Sequence, residues 1–156
     1  EIIADLEQRL TNSLLYNFAM GNLYGLYYPK EPKLSELPLT EQIYVAQKKA
    51  IEEAAKRGSC VFIGRCADYI LRSRPDVLRV FVYADRDIRL RRAIDEYGDL
   101  EEHIDEFMHQ TDKRRRIYYE NYTNQRWGDR ENYDLMLNSG DLGIEKCVEL
   151  ICQAVK

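Results

Sequence analysis

Residues 60–65 read Cys-Val-Phe-Ile-Gly-Arg, and residues 78–83 read Leu-Arg-Val-Phe-Val-Tyr. The first run is apolar without alternation and stops at Gly64-Arg65. That is the pattern of a strand covered on both faces, as in a parallel sheet. The second run predicts another strand, and Tyr133 to Asn138 (YDLMLN) a third. Helical patterns fill the spaces between them. Thr40 reads as an N-cap with Glu41 in the first turn, and Ile43, Ala46, Ala50, Ile51 and Ala54 repeat at helical spacing. Lys56 and Arg57 fill the last turn, and Gly58 is the expected left-handed stop. Residues 67–73 predict a helix ended by Pro75. Asp85 is placed to cap an arginine-rich helix reaching Tyr97 and ended by Gly98. Residues 100–122 read as helix, and Asp141 opens a last one with Ile144, Val148, Ile151 and Val155 on one face. Upstream, residues 1–20 form a helical pattern, and 21–39 read as a loop or hinge. Strands alternating with helices predict a three-layer α/β fold with a parallel sheet. In such folds ligands bind beyond the carboxyl ends of the strands. Gly64-Arg65, Asp85 with its following arginines, and Asn138-Ser139-Gly140 all fall there.

The chain of 156 residues suits one domain. Its 45% hydrophobic and 32% charged content argues against disorder. Its apolar runs fall far short of the roughly 20 residues that a membrane helix needs. The net charge of −4 speaks against a protein that coats nucleic acid. The charge is patterned, however. Residues 86–92 hold four Arg and one Asp, 93–110 hold seven acids and no Lys or Arg, and 111–130 hold six Lys/Arg and three acids. Cys60, Cys66, Cys147 and Cys152 form no C-x-x-C pair, and there are two His. A zinc site is not expected, a reducing cytoplasm is, and all four thiols read as small buried hydrophobes.

Arg65 directly follows a strand. It could pair a local acid, or clamp a phosphate with its planar fork. Asp68 could cap the next helix, or accept a hydrogen bond from a sugar hydroxyl or a base. Arg86, Arg89 and Arg92 share a helical face, which is costly unless an anion answers them. The acidic stretch or a bound polyphosphate could do so. Asp112-Lys113-Arg114-Arg115-Arg116 precedes Tyr118, Tyr119, Tyr122 and Trp127. Such a segment could stack on single-stranded nucleic acid, form a mobile lid that delivers arginines to a phosphoryl group, or be a solvated helix. Tyr118 and Tyr122, four apart, predict one packing stripe. Tyr119, Trp127 and Tyr133 read mainly as structural.

Taken in order, these segments resemble the cytidylate kinase-like family of P-loop nucleoside monophosphate kinases. The resemblance rests on Gly64-Arg65-Cys66-Ala67-Asp68-Tyr69-Ile70-Leu71, Tyr83-Ala84-Asp85, Arg89 to Arg92 and Thr111 to Arg115. Tyr118-Tyr119, Tyr122-Thr123, Trp127-Gly128-Asp129, Asn132 to Leu135, Leu137-Asn138-Ser139 and Leu142 to Glu145 extend it. It covers roughly residues 41–150. It implies a three-layer α/β/α P-loop kinase fold with a parallel sheet and a helical lid. The whole of 1–156 would be one such domain, with acceptor-side helices in 1–57, the core in 58–97 and 129–156, and the lid in 98–128.

The implied reaction moves the ATP γ-phosphate to CMP or dCMP, with Mg²⁺ held mainly by the substrate phosphates and no protein metal site. Arg65 and Asp68 would bind the acceptor. Arg89 and Arg92 would lie beside the donor phosphates. Asp112 and Arg115 would be the lid's aspartate–arginine pair, with Lys113 and Arg114 as helpers. No membrane or nucleic-acid partner is implied. A kinase-fold regulator without catalysis, or a single-stranded nucleic-acid binding module, are the alternatives. The family's Gly-rich loop, G-x-x-x-x-G-K-[ST], has no counterpart in these residues. The expectation is therefore that roughly 30–45 residues precede them, the size of a strand–loop–helix unit plus one strand. Strands 60–63 and 78–83 would then be parallel and about 10 Å apart rather than about 4.8 Å.

Overall fold

The structure, a computed structural model, describes residues 37–97 and 101–155. The chain divides into two compact units, Glu1–Phe62 and Ile63–Lys156. The helix and hinge expected over 1–36, and the stop at Gly98, lie outside the described residues.

In the first unit, α1 spans Leu39–Arg57. Its N-cap is Pro38 rather than Thr40, which lies within the first turn. Proline has no N–H to satisfy, and its carbonyl accepts from Glu41 N at 3.0 Å and Gln42 N at 3.1 Å. Gln42 Nε2 donates back to Leu37 O at 2.8 Å. Ile51 and Ala55 are buried, whereas Ile43, Ala46 and Ala50 on the expected apolar face are exposed. Gly58 ends the helix at φ 153°, ψ −167°. That is the extended mirror region open essentially to glycine alone, not the left-handed stop expected. Residues 59–63 form no strand, which corrects the first sequence expectation. Val61 is 90% and Ile63 92% exposed. A strand needs a partner ladder as well as apolar side chains, and no described segment supplies one here. The expected gap between strands 60–63 and 78–83 therefore has no first strand to define it.

The second unit opens on a turn at 64–66 and the single-turn helix α2, Ala67–Ile70. Strand β1 (Val80–Tyr83) leads to α3 (Arg86–Tyr97), then α4 (Glu101–Thr123). Asp85 stands just before α3, and its carbonyl accepts from Arg89 N at 3.0 Å. A 3₁₀ turn at Arg130–Asn132 leads into β2 (Leu135–Asn138), α5 (Ser139–Leu142) and α6 (Ile144–Ala154). The sequence pattern predicts one helix where these last two stand. Gly143, at φ 78°, ψ 164°, separates them.

Strands β1 and β2 pair in parallel, Val80 opposite Leu135 and Tyr83 opposite Asn138. Their entry is fixed by Arg79 and Asp134. Arg79 N and Nε donate to Asp134 Oδ2 at 2.9 Å each, and Nη2 donates to Oδ1 at 2.7 Å. The described architecture is thus mixed α/β, rich in helix, with a small parallel sheet. Its core holds Ile70, Leu71, Leu90, Ile104, Tyr119 and Leu137. Phe81 packs against Tyr133 at 4.9 Å and Trp127 at 5.6 Å between ring centroids. Cys66 and Cys147 are buried, while Cys60 and Cys152 are exposed, so the expectation holds for two of the four thiols. No helix among the described residues is long and apolar enough to cross a membrane.

Gly128 closes the Phe81 cluster from above. Its φ is +76°, and an added Cβ would stand 3.2 Å from Phe81 Cζ. Gly128→Ala therefore combines backbone strain with a ring contact and should destabilise the fold by about 1–3 kcal/mol. Urea denaturation checks it, and a variant as stable as the parent would refute the packing described.

A second prediction concerns pH. The Arg79 guanidinium holds the Asp134 carboxyl below the usual carboxylate range. A depressed carboxylate stabilises the fold above its unfolded pKa, about 3.9, and that stabilisation is lost as pH falls through the folded value. The stability difference between parent and Asp134→Asn should be fullest near pH 7 and shrink below about pH 4. A difference constant with pH would refute it.

Candidate functional site

Two groups of side chains gather around α4. The first lies against α3. Arg86 Nη2 meets Asp105 Oδ2 at 2.7 Å. Arg89 donates twice to Asp112, Nη1 to Oδ2 at 2.7 Å and Nη2 to Oδ1 at 3.0 Å. Arg115 Nη1 lies 3.6 Å from Asp112 Oδ1. Asp112 is thus shared by two arginines, one turn away on its own helix and across on α3. The arginine row is answered within the protein, by one residue of the acidic stretch and by Asp112.

Arg92 departs from this group. It donates from Nη1 to Ser139 Oγ at 3.1 Å and from Nη2 to Ser139 O at 2.7 Å. Ser139 Oγ in turn donates to Tyr83 O at 3.1 Å. Arg92 therefore ties α3 to the carboxyl ends of both strands. Next to it, Asn138 Oδ1 accepts from Gly140 N at 2.9 Å and caps α5.

The second group lies at the turn before α2. Gly64, Arg65 and Cys66 have φ of 68°, 56° and 57°, three successive residues in the left-handed region. The Arg65 guanidinium stays exposed, its Cζ 5.8 Å from the centre of the Tyr118 ring. That is within reach of a cation–π contact. Cys66 points inward, and burial, seconded by the Asp68 charge, pushes its thiol up to about 12. It is therefore a packing residue and not a nucleophile. The Tyr119 hydroxyl donates to Asp68 Oδ2 at 2.7 Å. Burial first, then the bond to Asp68, raises the Tyr119 hydroxyl well above the usual tyrosine range. Tyr133 is also raised, chiefly by burial.

Of the sequence-predicted residues, Arg89, Asp112 and Arg115 come together, and Arg65 stands on the turn just before α2, which carries Asp68. Lys113 and Arg114 are exposed on α4, Arg114 donating to Thr111 Oγ1 at 3.1 Å. Tyr118 and Tyr122 stack edge to face at 4.9 Å, the expected stripe. Sequence reasoning missed the Tyr119–Asp68 bond. The available signal was that a buried tyrosine hydroxyl usually finds a partner. Among the described residues no group of three or more His, Cys, Asp or Glu could hold a metal ion.

A small parallel sheet, with an arginine-bearing helix following one strand, places the chain among helix-rich α/β proteins. Residues 1–141 match the cytidylate kinase-like family, and the chain belongs to it. It is also similar to a crystal structure described as an uncharacterized protein from Eubacterium ventriosum. The TM-score is 0.71 and the identity 27%, over 78% of this chain and 69% of that one. No curated protein matches.

The Arg89–Asp112 pair is two-pronged and only partly exposed, so it should outweigh an ordinary surface ion pair. A double-mutant cycle with Arg89→Ala and Asp112→Ala should give a coupling of about 1 kcal/mol. Chemical denaturation of the four proteins measures it. Additive losses would mean that the pair does not hold α3 to α4.

Proposed function

We propose that the protein is a phosphotransferase moving the ATP γ-phosphoryl group to a pyrimidine nucleoside monophosphate, CMP or dCMP, in a three-layer P-loop kinase fold whose lid includes α4. One observation carries this reading. A single helix bears both candidate groups, Asp112 and Arg115 facing Arg89, and Tyr118 and Tyr119 facing Arg65 and Asp68. At 1.5 Å per residue Asp112 and Tyr119 lie about 10 Å apart along the helix axis. That suits a donor and an acceptor phosphate approached from one side. Family membership supports kinase-like chemistry.

In the proposed reaction an oxygen of the acceptor phosphate attacks the γ-phosphorus. The bond to the β–γ bridging oxygen breaks, and ADP and a nucleoside diphosphate leave. Catalysis of this kind is chiefly positioning and charge stabilisation. Arg65 suits the acceptor phosphate because its fork binds two oxygens at once. Asp68 suits a donor group on the nucleoside. Arg115 suits the transferred group, with Lys113 and Arg114 beside it. Arg89 reaches donor phosphates by exchanging Asp112 for them, and Arg92 only by leaving Ser139. Mg²⁺ would arrive on the ATP phosphates. The four free cysteines suit a reducing cytoplasm.

The test is ADP formation from ATP with CMP or dCMP. Arg115→Ala should lower kcat at least about a hundredfold with small changes in either KM, since its contact forms in the transition state. A loss confined to KM would make Arg115 a binding residue. Salt-sensitive oligonucleotide binding without turnover would replace the kinase reading with the nucleic-acid one.

A further inference from the structure

Tyr119 was expected to pack, and it does, at 5% exposed. Its hydroxyl has a second task. It donates to Asp68 Oδ2 at 2.7 Å and lies 3.3 Å from Gln125 Oε1. Beneath it, Thr123 Oγ1 donates to Tyr119 O at 2.7 Å and accepts from Gln125 N at 3.1 Å, fixing the end of α4 around this residue. Tyr133, at the entry to β2, packs on Phe81. Two elements therefore meet at one phenol: the start of α2, where Asp68 follows the turn bearing Arg65, and the last third of α4.

A carboxylate accepts hydrogen bonds and cannot donate them. The bond from Tyr119 to Oδ2 restrains the Asp68 carboxyl. A ligand meeting it must present a donor, either a sugar hydroxyl or an exocyclic amine. The alternative for the phenol is costly. A buried hydroxyl without a partner loses its hydration and gains nothing in return.

We propose that Tyr119 is a positioning residue that fixes the Asp68 carboxylate as the acceptor-side selector, so that the protein takes nucleoside monophosphates presenting a hydrogen-bond donor to it. This rests on the proposed function for the identity of the ligand, and it adds a residue and a selection rule. Tyr119 does not touch substrate. It acts through Asp68, and through the same bond it ties the acceptor turn to the helix that carries Asp112 and Arg115. The expected contrast is among CMP, dCMP, 2′,3′-dideoxy-CMP and UMP. If the donor is the 2′-hydroxyl, dCMP weakens, and if it is the 3′-hydroxyl, only the dideoxy analogue does; in neither case does UMP. If it is the base amine, UMP weakens and dCMP does not.

The experiment uses the full-length protein and compares Tyr119→Phe and Asp68→Asn with the parent. Calorimetric titration with CMP, without ATP, gives binding independent of turnover. Tyr119→Phe keeps the ring and removes one hydrogen bond to a charged group, so CMP binding should weaken about tenfold. The KM for CMP should rise alike, with the KM for ATP unchanged. In Asp68→Asn, adding Tyr119→Phe should have no further effect on CMP binding. A Tyr119→Phe variant that lowers only the thermal midpoint, or weakens ATP and CMP equally, would make Tyr119 purely structural and overturn the proposal. Equal affinities for CMP, 2′,3′-dideoxy-CMP and UMP would overturn the selection rule. Parent protein that binds CMP without turnover would sink the phosphotransfer reading and leave this one standing. Parent protein that binds no monophosphate would overturn both.

Discussion

A row of arginines on one face of a short helix repels itself, and the second unit is arranged around the answer to that repulsion. Arg86, Arg89 and Arg92 each reach an acceptor on a different part of the chain: Asp105, Asp112 and Ser139. The first two bind α3 to α4, and the third binds α3 to the strand ends. A guanidinium is well suited to this because its fork grips a carboxylate at two points and tolerates partial burial. The apolar contribution runs alongside, with Leu90 of α3 and Ile104 of α4 both buried. The charges set which helix faces which, and the buried side chains supply most of the free energy once the faces are chosen.

This arrangement bears on the proposed chemistry. Each arginine offered to a donor phosphate already has a protein partner, so phosphate binding there is an exchange of anions. Exchange gives up an existing partner, so it gains less than binding at an unanswered cationic row, whose free state repulsion would raise, and this limits affinity. Arg92 has two bonds around Ser139, one of them to a backbone carbonyl that cannot move without disturbing α5. Arg89 has only a side-chain partner on a neighbouring helix. Of the two, Arg89 is the easier to release.

Much of this was legible in the sequence, and the failures share a cause. Helix α1 was readable from a run of helix formers between Pro38 and Gly58, and α4 from its length alone. Strands β1 and β2 were readable because their apolar runs sit between turn signals. The segment 60–63 has the same composition and forms no strand, since apolarity describes side chains whereas a strand is a property of a backbone pair. The cap at Pro38 and the break at Gly143 were misjudged because side-chain capping preferences are weak beside backbone constraints. In the site, the arginines and acids could be found by type, but not which would pair. Asp112 read as a lid residue, and nothing in its spacing announced Arg89, which lies 23 positions away. Tyr119 was hidden for a similar reason. One buried tyrosine looks like another until its hydroxyl's partner, 51 positions distant, is known.

The turn at 64–66 shows how such a site is held against strain. Left-handed conformation costs little at Gly64 but of order 1–3 kcal/mol each at Arg65 and Cys66. The backbone bonds accepted by the turn are two, Ala67 N to Gly64 O at 3.1 Å and Ile70 N to Cys66 O at 2.9 Å. The compensation comes from burial at the end of the turn and along α2. Cys66, Ala67, Ile70 and Leu71 are all buried, and their side chains can reach the core only if the chain reverses at this point. The raised thiol pKa of Cys66 marks the same burial. Asp68 adds the bond to Tyr119, which fixes the turn against α4. Arg65 alone contributes nothing to the core and carries its own share of the strain, its guanidinium held outside over Tyr118. The exposed guanidinium is the planar, doubly pronged donor on which the proposed acceptor-phosphate contact rests.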